Sequence, residues 1–332
     1  MAEYRHLATP HPHWGNYPNN LPPNTRILKL TRDRLPITPQ PGLEIEEFNV
    51  PARDGYPIRV RSYRQSPVSS TSALPLLIWF HGGGFVTGGL ETDDVSCRAI
   101  AAAFPLVVLN VEYRLAPEHP FPVGFEDSLD VVRWAASPNT QPTLHTDLSK
   151  GFILGGTSAG ANFTAGIAHL LVQDTATDPE TNSNELSHPT PVVTGILFLA
   201  GTICHEDARP PAYQDRLLSI DEITESAGLT KEVIRFLAEK YEAPPSDARR
   251  SPLLFESHAG LTLRAAVYAC GWDPRRDETL LLEELLRGEG VQTKKFVYSG
   301  LPHGFWMTCP DLDESKQWEK DFLEGVSFLL EG

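Results

Sequence analysis

Past residue 42 the chain alternates short apolar runs with longer segments whose apolar positions recur every three or four residues. Residues 43–52 and 56–64 read as strands around a turn at Asp54-Gly55, a dipeptide suited to a hairpin. Residues 74–80 and 106–111 are nearly continuous apolar runs, the pattern of strands buried on both faces of a parallel sheet. Further strands are predicted at 152–155, 192–200, 263–269 and 294–298, and helices at 95–104, 125–136, 159–173, 277–286 and 314–330. The segment 159–173 is apolar nearly all round (Ala161, Phe163, Ala165, Ile167, Ala168, Leu170, Leu171), which marks a central, buried helix. Strands alternating with helices call for an α/β layered fold with right-handed crossovers.

Three stretches break the alternation. Residues 1–42 carry eight prolines, so no long helix is expected there. Their aromatics Tyr4, Trp14 and Tyr17 suggest an arm packed on the body, a disordered tail being the alternative. Residues 174–191 are a polar, turn-rich loop. Residues 205–250 insert mostly helical sequence between two strands, with a capping box at Ser219-Ile-Asp-Glu222 and Thr230 capping a helix that runs to about Tyr241. An insertion of this length after a core strand is expected to form a cap. The chain is thus divided into an arm (1–42) that adds to the cap, a core (43–204 and 251–332) and a helical cap (205–250).

Composition narrows the function. With 43 acidic against 28 basic residues the formal charge is −15, which leaves no basic patch for nucleic acid and disfavours anionic membranes. The first residues lack the apolar run of a signal peptide, and no uninterrupted apolar stretch is long enough to span a bilayer. Cys97, Cys204, Cys270 and Cys309 lie far apart, without metal-type spacing, and fit reduced thiols in the cytoplasm.

Gly156-Thr157-Ser158-Ala159-Gly160 sits between a predicted buried strand and the predicted buried helix. A nucleophile on such a strained turn needs glycines at its flanks, and the helix N-terminus behind it supplies amide donors for developing negative charge. Ser158 is therefore the candidate nucleophile. His81-Gly82-Gly83-Gly84 follows another strand, and glycines Gly82, Gly83 and Gly84 allow main-chain N–H groups to approach an acyl carbon. With the Ala159 amide they are the candidate oxyanion hole. His81 precedes the glycines and is expected to hold the loop. A serine needs a base, and the base an orienting carboxylate. His303, in a loop after the last strand, and Asp273, after the strand 263–269, fall at strand C-terminal ends, where α/β sheets place their sites. The order Ser…Asp…His agrees with this fold class. The rival Asp277 is expected to cap the helix that begins there. No His-Glu-x-x-His, Cys-x-x-Cys, Walker loop or G-x-G-x-x-G occurs, so neither a metal nor a cofactor is expected. Asn162-Phe-Thr164 matches a glycosylation sequon but lies in the buried helix.

His81–Phe85, Tyr113-Arg-Leu-Ala-Pro-Glu-His-Pro-Phe121, Gly-Thr-Ser-Ala-Gly160, Ser251-Pro-Leu-Leu254, Asp273-Pro-Arg-Arg-Asp-Glu278 and His303-Gly-Phe305 together resemble the hormone-sensitive-lipase-like esterases, fungal members most nearly. The resemblance runs from about residue 74 to 310. It implies an eight-stranded, mostly parallel sheet flanked by helices under a cap, no cofactor, and carboxylesterase activity on short- to medium-chain acyl esters. It also implies Ser158, Asp273 and His303 as the triad. Many members have Asp before the nucleophile and Gly after the motif, where this chain has Thr157 and Ala161; loop hydrogen bonding must differ accordingly. The expected partner is a small-molecule acyl ester, with no nucleic acid and no membrane span; a homodimer is compatible with the sequence. Acyl transfer, lactone or amide cleavage, or a secondary-metabolite step would use the same triad. A non-catalytic ligand-binding receptor would not need every catalytic position filled, as it is here.

Overall fold

The computed structural model describes residues 1–14, 38–66, 73–176 and 192–331. Its centre is one eight-stranded sheet with the order β1-β2-β4-β3-β5-β6-β7-β8. Strands β1 (Leu43–Pro51) and β2 (Pro57–Gln65) form the expected hairpin, closed by the Ala52 N–H on the Tyr56 carbonyl and by Gly55 at φ +84°. β2 runs antiparallel to β4 (Val107–Glu112). From there β3 (Leu76–Phe80), β5 (Phe152–Thr157), β6 (Gly195–Leu199), β7 (Arg264–Trp272) and β8 (Gln292–Pro302) are all parallel. The continuous apolar runs are explained by position: every residue of β3, β5 and β6 is buried. A strand covered on both faces has no solvent side to keep polar.

Helices α1 (Asp94–Ala103), α2 (Val123–Ala136), α3 (Ala159–Ala176), α4 (Lys231–Tyr241), α5 (Arg276–Gly288) and α6 (Asp313–Leu330) follow the predicted segments. α3 is the buried one: Ala161, Phe163, Ile167 and Ala168 are each 0 % exposed. The largest misplacements concern strands. β6 is shorter than expected, since Val192 is already exposed, while β7 and β8 run several residues further toward their C-termini.

Residues 1–14 are packed on the body. They form two 3₁₀ turns, Ala2–Ala8 and Pro12–Trp14, and Trp14 is buried. Gly271 and Gly300 make room for them: a Cβ on Gly271 would lie 2.4 Å from the Leu7 carbonyl oxygen, and one on Gly300 2.5 Å from that of Thr9. Tyr17 and half of the arm's prolines, like most of the 174–191 loop, lie outside the described residues.

In the insertion, Thr230 caps α4 through its Oγ1, which accepts the Val233 N–H at 3.3 Å. The expected capping box does not form. The Ser219 hydroxyl donates to the Pro274 carbonyl at 2.8 Å, and the Leu218 and Ser219 N–H groups are taken by Asp277. A carboxylate brought from another element outcompetes the local Glu222, which pairs with Arg5 instead.

Candidate active site

The three candidate triad residues occupy equivalent places in three strands. Ser158, Asp273 and His303 are each the first residue beyond the C-terminal end of β5, β7 and β8. Parallel strands thereby bring all three to one edge of the sheet. Ser158 has φ +56°, a left-handed conformation that costs a non-glycine residue roughly 1–3 kcal/mol. The turn is held by the Ser158 N–H on the Leu199 carbonyl at 2.8 Å and by the Asn162 N–H on the Ser158 carbonyl at 3.1 Å. The flanking glycines are required by space: a Cβ on Gly160 would lie 1.9 Å from the Phe80 carbonyl oxygen, and one on Gly156 2.5 Å from the Gly160 carbonyl carbon. The turn therefore presses against the end of β3, directly before the glycine loop.

His303 and Asp273 meet. His303 Nδ1 lies 2.8 Å from Asp273 Oδ2, and Asp273 is fully buried while the imidazole retains some exposure. With Nδ1 held by a carboxylate, Nε2 is the nitrogen left to exchange a proton. Asp273 Oδ1 accepts the Arg275 N–H at 2.8 Å, which fixes the carboxylate's second oxygen. Asp277, expected to cap its own helix, instead accepts from Leu218 and Ser219 and pairs with Arg276 at 2.9 Å. The Arg275 side chain does not cap α5; the Asp277 N–H in its first turn donates to Ser219 Oγ at 3.1 Å.

The glycine loop divides its amides. The Gly82 N–H donates to the Asp93 carboxylate at 3.1 Å, so it is spent. This corrects the expectation that Gly82 contributes a free donor. Among the described residues no acceptor takes the N–H of Gly83 or Gly84, and Ala159, first in α3, has no acceptor one turn back. Gly83 and Gly84 have φ +127° and +61°. A Cβ on Gly83 would lie 2.0 Å from the Thr87 carbonyl oxygen, so the loop folds tightly back on itself. His81 is wholly buried, stacks on Tyr113 with ring centroids 4.2 Å apart, and has Nδ1 2.7 Å from the Gly82 carbonyl. Burial pushes its pKa down to about 4, which keeps it neutral and unsuited to act as the base.

Asp93 escaped the sequence reading. It is buried without a cation partner, and it bridges the Gly82 N–H to the Thr157 Oγ1 at 3.3 Å. Burial raises its carboxyl to about 6. Thr157, the departure from the common pattern, thus links the nucleophile turn to the glycine loop through Asp93. In the sequence Asp93 precedes a helix and reads as an ordinary N-cap. The insertion reaches this end of the sheet as well: Leu237 of α4 packs against Gly84, and Tyr241 stacks on Phe85 with centroids 4.0 Å apart. The sequon residue Asn162 is buried, its amide donating to the Thr202 and Arg250 carbonyls. No group of metal-ligating side chains is found among the described residues.

A family model described as alpha/beta hydrolase fold matches residues 77–307. The chain is 30% identical over 286 residues to the versiconal hemiacetal acetate esterase of Dothistroma septosporum, covering 86% of this chain and 82% of that one. Among solved structures it is similar to vibralactone cyclase, with a TM-score of 0.83 and 30% identity across 98% of this chain and 96% of the other. It is also similar to the hyperthermophilic esterase from the archaeon Pyrobaculum calidifontis, with a TM-score of 0.70, 29% identity and 86% of each chain covered. On the sheet order, the matched region and these relatives, the chain belongs to the hormone-sensitive-lipase-like esterase family of the α/β-hydrolase fold.

Proposed function

We propose that this hydrolase cleaves carboxylic esters through an acyl-enzyme on Ser158, with His303 as base and Asp273 orienting it. The observation that carries the reading is the His303–Asp273 bond at the same sheet edge as the strained Ser158 turn. In the first half-reaction His303 Nε2 takes the hydroxyl proton as Ser158 Oγ attacks the acyl carbon. The N–H groups of Gly83, Gly84 and Ala159 receive the oxyanion, and the imidazolium returns its proton to the leaving alcohol. Water repeats the sequence on the acyl-enzyme. Residues 205–250 and the N-terminal arm act as the cap; for the insertion the role is supported by the Leu237 and Tyr241 contacts on the oxyanion loop. The four free cysteines, three of them buried, favour a reducing, cytoplasmic setting. The test is turnover of a p-nitrophenyl ester panel by the wild type and Ser158→Ala, with fluorophosphonate labelling. Serine-dependent turnover and labelling are expected; the absence of both would overturn the reading.

The overlap with vibralactone cyclase across nearly the whole chain favours a second reading. In it a hydroxyl group, in place of water, takes the acyl group from Ser158. Product analysis with alcohol acceptors separates the two, since transfer yields a new ester and hydrolysis the free acid. A homodimer belongs to the same proposal and is checked by sedimentation equilibrium.

A further inference from the structure

A cavity of about 450 Å³ lies against α4, the helix whose Leu237 packs on Gly84. Its walls include Ile234, Ala238 and Pro245, and Arg250 and Arg275 supply two guanidinium groups. Arg250 is 4 % exposed, yet among the described residues none of its guanidinium nitrogens donates to an acceptor, and Nη1 is completely enclosed. Buried cations are normally paired, because desolvation penalises the charged form. Here burial, reinforced by Arg275, lowers Arg250 to about 10. The carboxylate available nearby, Glu278, is already saturated. It accepts from Arg275, from Thr202 Oγ1 at 2.7 Å, and from the Ile203 and Cys204 N–H groups at 2.8 and 2.9 Å.

The two arginines are fixed by the elements that carry the reaction. The Arg250 carbonyl accepts from Asn162 at 3.0 Å, one turn beyond Ser158 in α3. Its guanidinium carbon lies 5.6 Å from the ring of Phe85, which directly follows Gly84. Arg275 stands two residues after Asp273, whose Oδ1 accepts its N–H. The acidic side chains around the cavity do not neutralise this floor: Glu206 is engaged by Lys231 and Arg235, and Asp207 and Glu239 are exposed. A planar guanidinium with free donors matches a carboxylate, which it can bind through two parallel hydrogen bonds.

We infer that this cavity is a carboxylate-binding subsite, and that the substrates are esters carrying a second, free carboxylate, such as half-esters of dicarboxylic acids. The inference rests on the esterase reading of Ser158 and names the substrate class for it. Arg250 is the chief ligand and Arg275 the flanking charge, while the insertion helix α4 supplies the apolar wall for the linking chain.

The experiment compares mono-p-nitrophenyl glutarate with p-nitrophenyl valerate, similar in length and differing in terminal charge. For the wild type, kcat/KM should favour the half-ester by about 10- to 100-fold, the range of one charge-assisted hydrogen-bonded pair. Arg250→Met should abolish that ratio and Arg250→Lys should restore part of it, with fluorophosphonate labelling reporting that each variant is folded. Free glutarate should inhibit competitively against the half-ester. Turnover of valerate without any preference for the half-ester overturns the subsite and leaves the esterase reading intact, even if Arg250→Met does not fold. No turnover of either ester and no labelling overturns the esterase reading instead. Glutarate binding that is not competitive would show an anion site separate from the substrate, and would also overturn the inference.

Discussion

Asp273 and Asp277 are both completely buried, four positions apart, and differ in the company they keep. Asp273 holds His303, whereas Asp277 holds Arg276 and the main chain at residues 218 and 219. Their substitutions should therefore separate activity from stability. Asp273→Asn is expected to lower kcat by about 10⁴, with a melting temperature near that of the wild type. Asp277→Asn leaves Arg276 uncompensated and should cost about 3–5 kcal/mol of stability while kcat at low temperature stays close to normal. Ester turnover and thermal melting on the same samples check both, and the reverse pattern would reassign the carboxylate. Asp273 was legible in the sequence because it directly follows a core strand. The role of Asp277 was not, since its partners arrive from residues far away in the chain. Asp93 was hidden for the same reason: a carboxylate before a helix looks like a cap until the glycine loop is folded onto it.

Elements whose signals are local were read correctly, and those settled by distant contacts were not. Thr230 caps α4 from three residues away, and the predicted cap is present. Ser219 and Glu222 had the same spacing, yet Asp277 of α5 and Arg5 of the N-terminal arm supply better partners for that turn. Helix and strand types followed from apolar periodicity, while strand ends shifted because burial at the sheet edge has no local sequence mark. The contrast gives a pair of expectations for stability. Thr230→Ala loses one cap and should cost about 1 kcal/mol by urea denaturation. Gly160→Ala would drive a Cβ to 1.9 Å from the Phe80 carbonyl oxygen, backbone that has nowhere to move. It should yield little folded protein, and what is recovered should melt far below Thr230→Ala; a Gly160→Ala protein with normal melting would show that the turn and β3 are not in contact.

At the scale of the molecule, several ionisable groups are buried in forms that water would not favour. Burial lowers His81 from 6.5 to about 4 and His169 from 6.5 to about 3, and it lowers His205 and His258 as well. His81 and His169 stay neutral in the fold between pH 6.5 and their folded values, while the unfolded chain takes up their protons there. Their contribution is thus intact above that pH and is lost progressively as the pH falls toward the folded values. Asp93 acts in the opposite sense. Its carboxyl is raised from 3.8 to about 6, so the fold retains a proton that the unfolded chain has shed. Its contribution is complete below pH 3.8 and is lost as the pH rises through about 6. Each unmatched proton changes stability by about 1.4 kcal/mol per pH unit. Between about pH 6.5 and 4.5 two or more histidines outweigh one aspartate, so stability should fall on acidification. Asp93→Asn removes the opposing group, and its stability should fall more steeply than the wild type over pH 4.5 to 6, by about one proton's slope. Urea denaturation of both proteins across that window measures the two slopes directly. Parallel slopes would mean that Asp93 titrates as an exposed carboxylate does, and that the bridge between the glycine loop and Thr157 is ionised throughout.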